Sequence, residues 1–282
     1  MTSKKIILAI PILAVLAFVI YSCGGDNQDE NTIQGNDTIP ASNNTHCVTH
    51  DFFYSLPSPI VMAKIFKKTG LKYVDGITNS PDNVSKYASV QSKTLNLGVY
   101  SSDLAYCVLN KQTQQASKYI ESVKQLSDEL GMSSLFSSDD YLNRFKSNLS
   151  NEDSLIAILS LLKSEMDMFM QCNEKEKQTL FVFIGAWVEN LYIATQLTKE
   201  ANKEKIIMRV VEQKYILNSL MNISTSMQNE SEFKNLYGKL GELNALFENL
   251  SVESEGEKIT MDELQLKAIT EKTRELRKQI VN

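Results

Sequence analysis

Along most of this chain the apolar residues fall three and four positions apart, the spacing of one face of an α-helix. No segment keeps the strict alternation of a half-buried strand. The pattern predicts helices near 59–69, 81–90, 92–111, 113–130, 138–149, 151–171, 174–200, 203–227 and 230–250, with a tenth near 260–281. The punctuation agrees. None of the five prolines follows Pro81, and glycine is sparse over the same stretch. Ser58-Pro59 and Ser80-Pro81 place a capping residue ahead of proline at a first helical position. Asn229-Glu230-Ser231-Glu232 and Thr260-Met261-Asp262-Glu263 read as capping boxes or near relatives. Gly70 and Gly131 follow apolar-periodic runs, as helix stops do. The fold class is therefore all-α, a multi-helix bundle or an array of antiparallel helical hairpins.

Three patterns go further. Phe233, Leu236, Leu240, Leu243, Phe247 and Leu250 form one heptad-like seam, and Leu266, Ile269, Thr273, Leu276 and Ile280 form another. The acidic turn SVESEGEK joins them, which predicts an antiparallel helical hairpin packed on the body. The segment TLFVFIGAWVENLYIATQL, residues 179–197, is apolar nearly all round and belongs at the centre of a bundle. Its Glu189, Asn190 and Gln196 argue against a lipid-facing span. Finally, Gly98-Val99-Tyr100 with Leu104 matches Gly185-Ala186-Trp187 with Leu191 at an offset of 87 residues, which raises a duplicated helical half.

The N-terminus follows a different pattern. Lys4 and Lys5 precede an apolar run from Ile6 to Ile20, interrupted by Pro11. That run is shorter than the about 20 residues a bilayer span needs and fits the core of a secretory signal. Ile20-Tyr21-Ser22-Cys23 resembles the lipobox of bacterial lipoproteins, Tyr21 being bulkier than is usual there. The resemblance implies cleavage before Cys23 and lipid, including palmitate, on that cysteine. An uncleaved anchor and an ordinary signal peptide are the alternatives. The next stretch, rich in Gly, Asn, Asp and Thr, has almost nothing to bury and reads as disordered. Roughly thirty such residues span about 30 Å, a tether that holds a domain off a membrane. The organisation expected is thus a signal peptide at 1–22, lipidated cysteine and linker at 23–52, and a helical domain at 53–282. Asp26, Asp29 and Glu30 resemble the export signals of surface lipoproteins in the Bacteroidota. Asp37-Thr38-Ile39 is similar to the short O-glycosylation motif of that phylum, which makes Thr38 the acceptor. The whole chain resembles all-helical envelope lipoproteins of the Bacteroidota with no assigned activity. The likeness implies an outer-membrane location, surface-exposed in preference to periplasm-facing, and carries no catalytic residues.

Charge and composition narrow the function. The net charge of −5 becomes −7 once Lys4 and Lys5 are removed, and there is no long basic stripe. Nucleic-acid binding is excluded on that ground. Of the cysteines Cys23, Cys47, Cys107 and Cys172, lipidation would leave three, so at most one intramolecular disulfide. Cys107 and Cys172 lie in apolar helical contexts and read as buried free thiols. The two histidines, His46 and His50, lie in or beside the tail, which excludes Ser-His-Asp, Cys-His and Glu-x-x-His chemistry from the domain. His46-Cys47-Val48-Thr49-His50 concentrates soft ligands but lacks a fourth ligand and a held geometry. It reads as a solvated linker, so no metal and no cofactor is expected. No phosphate-binding or hydrolase motif occurs.

One constellation remains. Asp103 is the lone charge on 94–110, and Glu189 the lone charge on 180–197, the two most apolar helices. Tyr100, Trp187 and Tyr192 accompany them. Buried carboxylates are rare unless paired or hydrogen-bonded. Either each acid satisfies a neighbouring backbone or tyrosine group, or the five residues line a ligand pocket. Two functions follow. One is a non-enzymatic, membrane-tethered envelope protein that binds a protein or glycan partner. The other is a small-ligand carrier or a carboxylate-dependent hydrolase that uses Asp103 and Glu189.

Overall fold

The structure, a computed structural model, describes residues 57–138, 140–198, 203–252 and 259–282. Cys23, Thr38, His46, Cys47 and His50 lie outside them. Ser58 caps α1 (Pro59–Lys68), its hydroxyl accepting from Val61 N–H at 3.4 Å, and Gly70, at φ 93°, turns the chain away. An irregular loop leads to a 3-10 turn (Pro81–Lys86) and then to α2 (Val90–Leu109). α3 (Thr113–Glu129), α4 (Ser133–Ser138), α5 (Tyr141–Ser147), α6 (Glu152–Cys172) and α7 (Glu176–Gln196) follow. After them come α8 (Lys203–Val211), α9 (Gln213–Ser224), a 3-10 turn (Thr225–Met227), α10 (Lys234–Glu248) and α11 (Glu263–Val281). A two-residue antiparallel pairing of Ser251–Val252 with Ile259–Thr260 links the last two helices. The fold is all-α.

Four predicted elements differ, each for a local reason. The helix expected at 81–90 is the 3-10 turn. Tyr87 leaves it in extended geometry to bury its ring, and Ser89 opens a new helix through a capping box with Ser92. The helix expected at 138–149 starts at Tyr141, after Asp140 at φ 49°. The helix expected at 203–227 breaks at Glu212, just before Gln213. The side-chain amide of Gln213 donates to Arg209 O at 2.9 Å, taking the carbonyl that its own backbone N–H would use in an unbroken helix. The helix expected at 230–250 starts at Lys234, because the Glu230 carbonyl is engaged in a turn with Phe233 and Lys234. The final capping box is Asp262 with Gln265, two residues beyond Thr260.

The two seams are buried as their spacing requires, with Phe233, Leu240, Leu243, Phe247, Ile269, Thr273 and Leu276 fully enclosed. α10 and α11 run antiparallel. Asn235 meets Gln279, Glu242 meets Lys272, and Asn249 meets Gln265, so the partners advance along one helix as they retreat along the other. Cys107 is buried and free. Cys172 is not the free thiol expected from its context, because it is disulfide-bonded. The buried face of α6 is carried by Leu155, Ile158, Leu162, Met166 and Met170, and Cys172 falls off that face at the exposed end of the helix.

α2 and α7 cross at the centre. A Cβ at Gly98 would lie 2.0 Å from Val182 O, and one at Gly185 would lie 1.9 Å from Leu95 O. The helices thus touch backbone to backbone, which glycine alone permits. Leu95 and Val182 stand at the same 87-residue offset as the glycines, so each helix offers the other the same pair of positions. α3, α5 and α6 pack on one side of this crossing and α9, α10 and α11 on the other, each side with its own apolar core. Among the described residues, no helix is long and apolar enough to cross a membrane.

Candidate functional site

The close crossing places the polar residues one turn beyond each glycine against the partner helix. On one side Ser102 Oγ donates to Ala186 O at 2.9 Å and accepts from Asn190 Nδ2 at 2.7 Å. On the other side lie Asp103 and Glu189, both with no exposed surface. These two contacts are again related by 87 residues: Asp103 corresponds to Asn190, and Ser102 to Glu189. One side is filled by neutral groups and the other by two carboxylates.

Arg277 of α11 closes the charged side. Its Nε and Nη2 donate to Glu189 Oε2 and Oε1 at 2.7 and 2.8 Å, a bidentate pair, and its guanidinium lies 4.2 Å from the centre of the Tyr192 ring. Burial alone would lower the Arg277 pKa, but the Glu189 carboxylate raises it overall, and the cation is retained. Burial raises Asp103 well above the ordinary carboxylate range, and the neighbouring Glu189 adds to the shift. Asp103 Oδ1 has no hydrogen-bond partner, and Glu189 stands close enough to disfavour a second negative charge. Both facts fit a protonated Asp103. The three side chains then carry no net charge, one acid being neutral and the other matched by Arg277.

The surrounding groups share one task, which is to satisfy the irregular loop between α1 and the first 3-10 turn. Tyr106 donates to Lys72 O at 3.1 Å and accepts from Val74 N–H at 2.8 Å. Arg277 Nη2 reaches Ile77 O at 3.4 Å. The Tyr119 hydroxyl lies 2.7 Å from Thr78 Oγ1 and 3.0 Å from Asn79 O. Asp103 Oδ2 accepts from Asn79 N–H at 3.1 Å, and Tyr100 donates to Ser80 O at 2.9 Å. Backbone without helix or sheet partners must find others when it is buried, and here side chains supply them. Asn96 donates to Ile280 O at 2.8 Å and Tyr87 to Val281 O at 3.4 Å, which ties the end of α11 to the same cluster. Burial raises the pKa of Tyr100 and Tyr119, and that of Tyr106 to about 12, so all three hydroxyls remain donors.

Of the five residues singled out from sequence, Asp103, Glu189, Tyr100 and Tyr192 belong to this cluster. Trp187 does not: its Nε1 donates to Gln213 Oε1 at 3.0 Å, toward α9. Sequence reasoning missed Arg277, Asn79, Tyr119 and the Ser102–Asn190 pair. Two lone acids on apolar helices call for a cation, and Arg277, four residues after seam residue Thr273, was the one placed to supply it.

The clefts lie elsewhere. A polar groove of about 790 Å³ runs between the α2–α3 turn, with Lys111 and Thr113, and the start of α6, with Glu152 and Asp153. One of about 500 Å³ lies beside the end of α7, lined by Thr195, Gln196, Leu266, Thr270 and Arg274. A narrow apolar slot of about 50 Å³, lined by Ile60, Leu104, Leu162 and Met166, has the Lys163–Asp167 ion pair on its wall. None of these is lined by Asp103, Glu189, Tyr100, Trp187 or Tyr192. Among the described residues, no three His, Cys, Asp or Glu side chains stand together as metal ligands. No family model, no curated protein and no solved structure matches the chain.

Proposed function

We propose that this chain is an exported envelope lipoprotein, anchored through Cys23, whose helical domain binds a protein or glycan partner without catalysing a reaction. One observation carries the non-catalytic part. The single acid pair that stood out as candidate chemistry is sealed in the core, Glu189 paired with Arg277 and Asp103 engaged in holding a loop. A hydrolase working through two carboxylates must bring both to its substrate, with a water or a covalent intermediate between them. Asp103 and Glu189 have no exposed surface to offer. Export is supported separately. Cys172 is disulfide-bonded, and such bonds persist in oxidising compartments. The lysine pair, the short apolar run and the Ser22-Cys23 junction point the same way.

The test has two parts. The protein made with its own N-terminus should partition with the outer membrane and label with a palmitate analogue. Cys23→Ala should lose both properties, and an unlabelled Cys23→Ala protein still in the membrane would overturn the lipid anchor in favour of an uncleaved span. Intact cells treated with protease should lose the domain if it faces outward and keep it if it faces the periplasm. Crosslinking in intact cells then tests the binding role. Partners captured by the wild type should also be captured by the Asp103→Asn and Glu189→Gln proteins, because the proposed interface does not use those acids.

A further inference from the structure

We propose that Cys172 is bonded to Cys47, so that the tether is fastened a second time, at the end of α6. The assignment rests on the reading of Cys23 as the lipidated residue. Cys172 is disulfide-bonded and Cys107 is free and buried, so of the four cysteines only Cys23 and Cys47 can be the partner. A thioether-linked, acylated Cys23 has no thiol to give, which leaves Cys47.

The geometry of the domain favours the same choice. Pro57 lines a small cleft with Lys163 and Asp167 of α6, so the chain enters the domain beside that helix. Cys172 lies five residues beyond Asp167, about 7.5 Å along the axis. Ten residues separate Cys47 from Pro57, and such a stretch reaches up to about 33–36 Å. Cys23 stands 34 residues from Pro57. On loop-closure entropy alone, the shorter connection meets Cys172 about sixfold more often. Cys172 is on the exposed end of α6, open to a partner arriving from outside the helical body.

Forming the bond joins the two sulfurs and releases two protons and two electrons. A disulfide-donor protein of the envelope accepts them by thiol–disulfide exchange, its own disulfide leaving as a dithiol. The connection between the lipid and the bond is then the 24 residues from Cys23 to Cys47, for which a random-coil chain gives a root-mean-square span of about 25–30 Å. The pull of the lipid anchor is delivered at the α6–α7 turn.

Peptide mapping of the exported full chain tests this. Trypsin combined with a protease that cuts before aspartate separates all the relevant cysteines. After alkylation without reductant, the expected product is DTIPASNNTHCVTH (37–50) linked to DMFMQCNEK (167–175). A Cys23–Cys172 link would overturn this assignment and the lipid anchor together. Free thiols at both Cys47 and Cys172, with Cys23 acylated, would overturn the assignment and leave the anchor standing. A Cys107–Cys172 link would also overturn it. Melting adds a second readout. Cys47→Ser and Cys172→Ser should each lower Tm by about 5–10 °C, and the double variant should fall no further. Both variants should retain the palmitate label. A Tm loss in Cys172→Ser alone would overturn the pairing.

Discussion

The two sides of the α2–α7 crossing use equivalent positions for unlike ends. Ser102 and Asn190 satisfy each other and the Ala186 carbonyl, and they need nothing from a third helix. Asp103 and Glu189 occupy the equivalent positions but cannot both be ionised side by side in a dry interior. They require a proton and the guanidinium of Arg277, and in return they reach the α1–α2 loop and α11. The neutral side joins two helices. The charged side joins four parts of the chain, and its stability depends on all of them. A buried charge cluster of this kind is weak evidence for stability, but removing one member is costly because the rest is left uncompensated.

The first way to break the comparison is to remove what both sides share. Gly98→Ala or Gly185→Ala drives a Cβ into a backbone carbonyl. Each should cost about 4–5 kcal/mol in urea unfolding, or prevent folding outright. A loss below about 1 kcal/mol in either would mean that the helices separate easily. The next largest effect belongs to the charged side alone. Arg277→Met should cost about 3–5 kcal/mol, and adding Asp103→Asn and Glu189→Gln to it should recover part of that loss. If the triple variant is no more stable than Arg277→Met, the loss is one of packing and not of charge.

Ser102→Ala probes the neutral side and should cost only about 1 kcal/mol, because Asn190 keeps its bond to Ala186 O. The smallest effect distinguishes the two sides by pH. Asp103 has a raised pKa in the folded state, so the native protein binds a proton that the unfolded chain, titrating near 3.9, releases. The stability that this proton contributes is complete below that value and declines as pH rises toward the folded pKa. Asp103→Asn keeps an oxygen that can accept from Asn79 N–H but does not titrate. It should match the wild type near pH 4 and be more stable than it at neutral pH. Unfolding curves of the two proteins that stay parallel from pH 4 to pH 8 would mean that Asp103 is not protonated in the fold. Ser102→Ala should show no such divergence.

Most of the helices, the α10–α11 hairpin and the unusual status of Asp103 and Glu189 were legible in the sequence, because each depends on spacing within one segment; the short α4 and the 3-10 turn at Pro81–Lys86 were not. Even the glycine match carried information: residues 87 apart proved to face each other across one crossing. What was not legible is what depends on a third element. Arg277 lies on a helix with many charges, among them Glu271, Lys272, Arg274, Glu275 and Lys278, and its place four residues after seam residue Thr273 marks it only once the acids on α2 and α7 are known to need a cation. Asn79 and Tyr119 act on a loop whose path the sequence does not encode by periodicity. Trp187 was grouped with the acids because it shares a helix with Glu189, but its indole N–H meets Gln213 instead. Cys172 was read from its apolar neighbours, although its position at the end of α6 placed it off the buried face.

The glycine crossing also has a mechanical meaning. Packed helices usually accommodate movement by sliding as side chains change rotamer along their interface. Where α2 meets α7 at Gly98 and Gly185 there are no side chains to rearrange, and any slip would drive carbonyl oxygens into the opposing backbone. The two helices therefore act as a fixed axle. Any motion of the domain must be made by its outer helices turning about that axle, while the axle itself transmits force from one side of the crossing to the other without yielding.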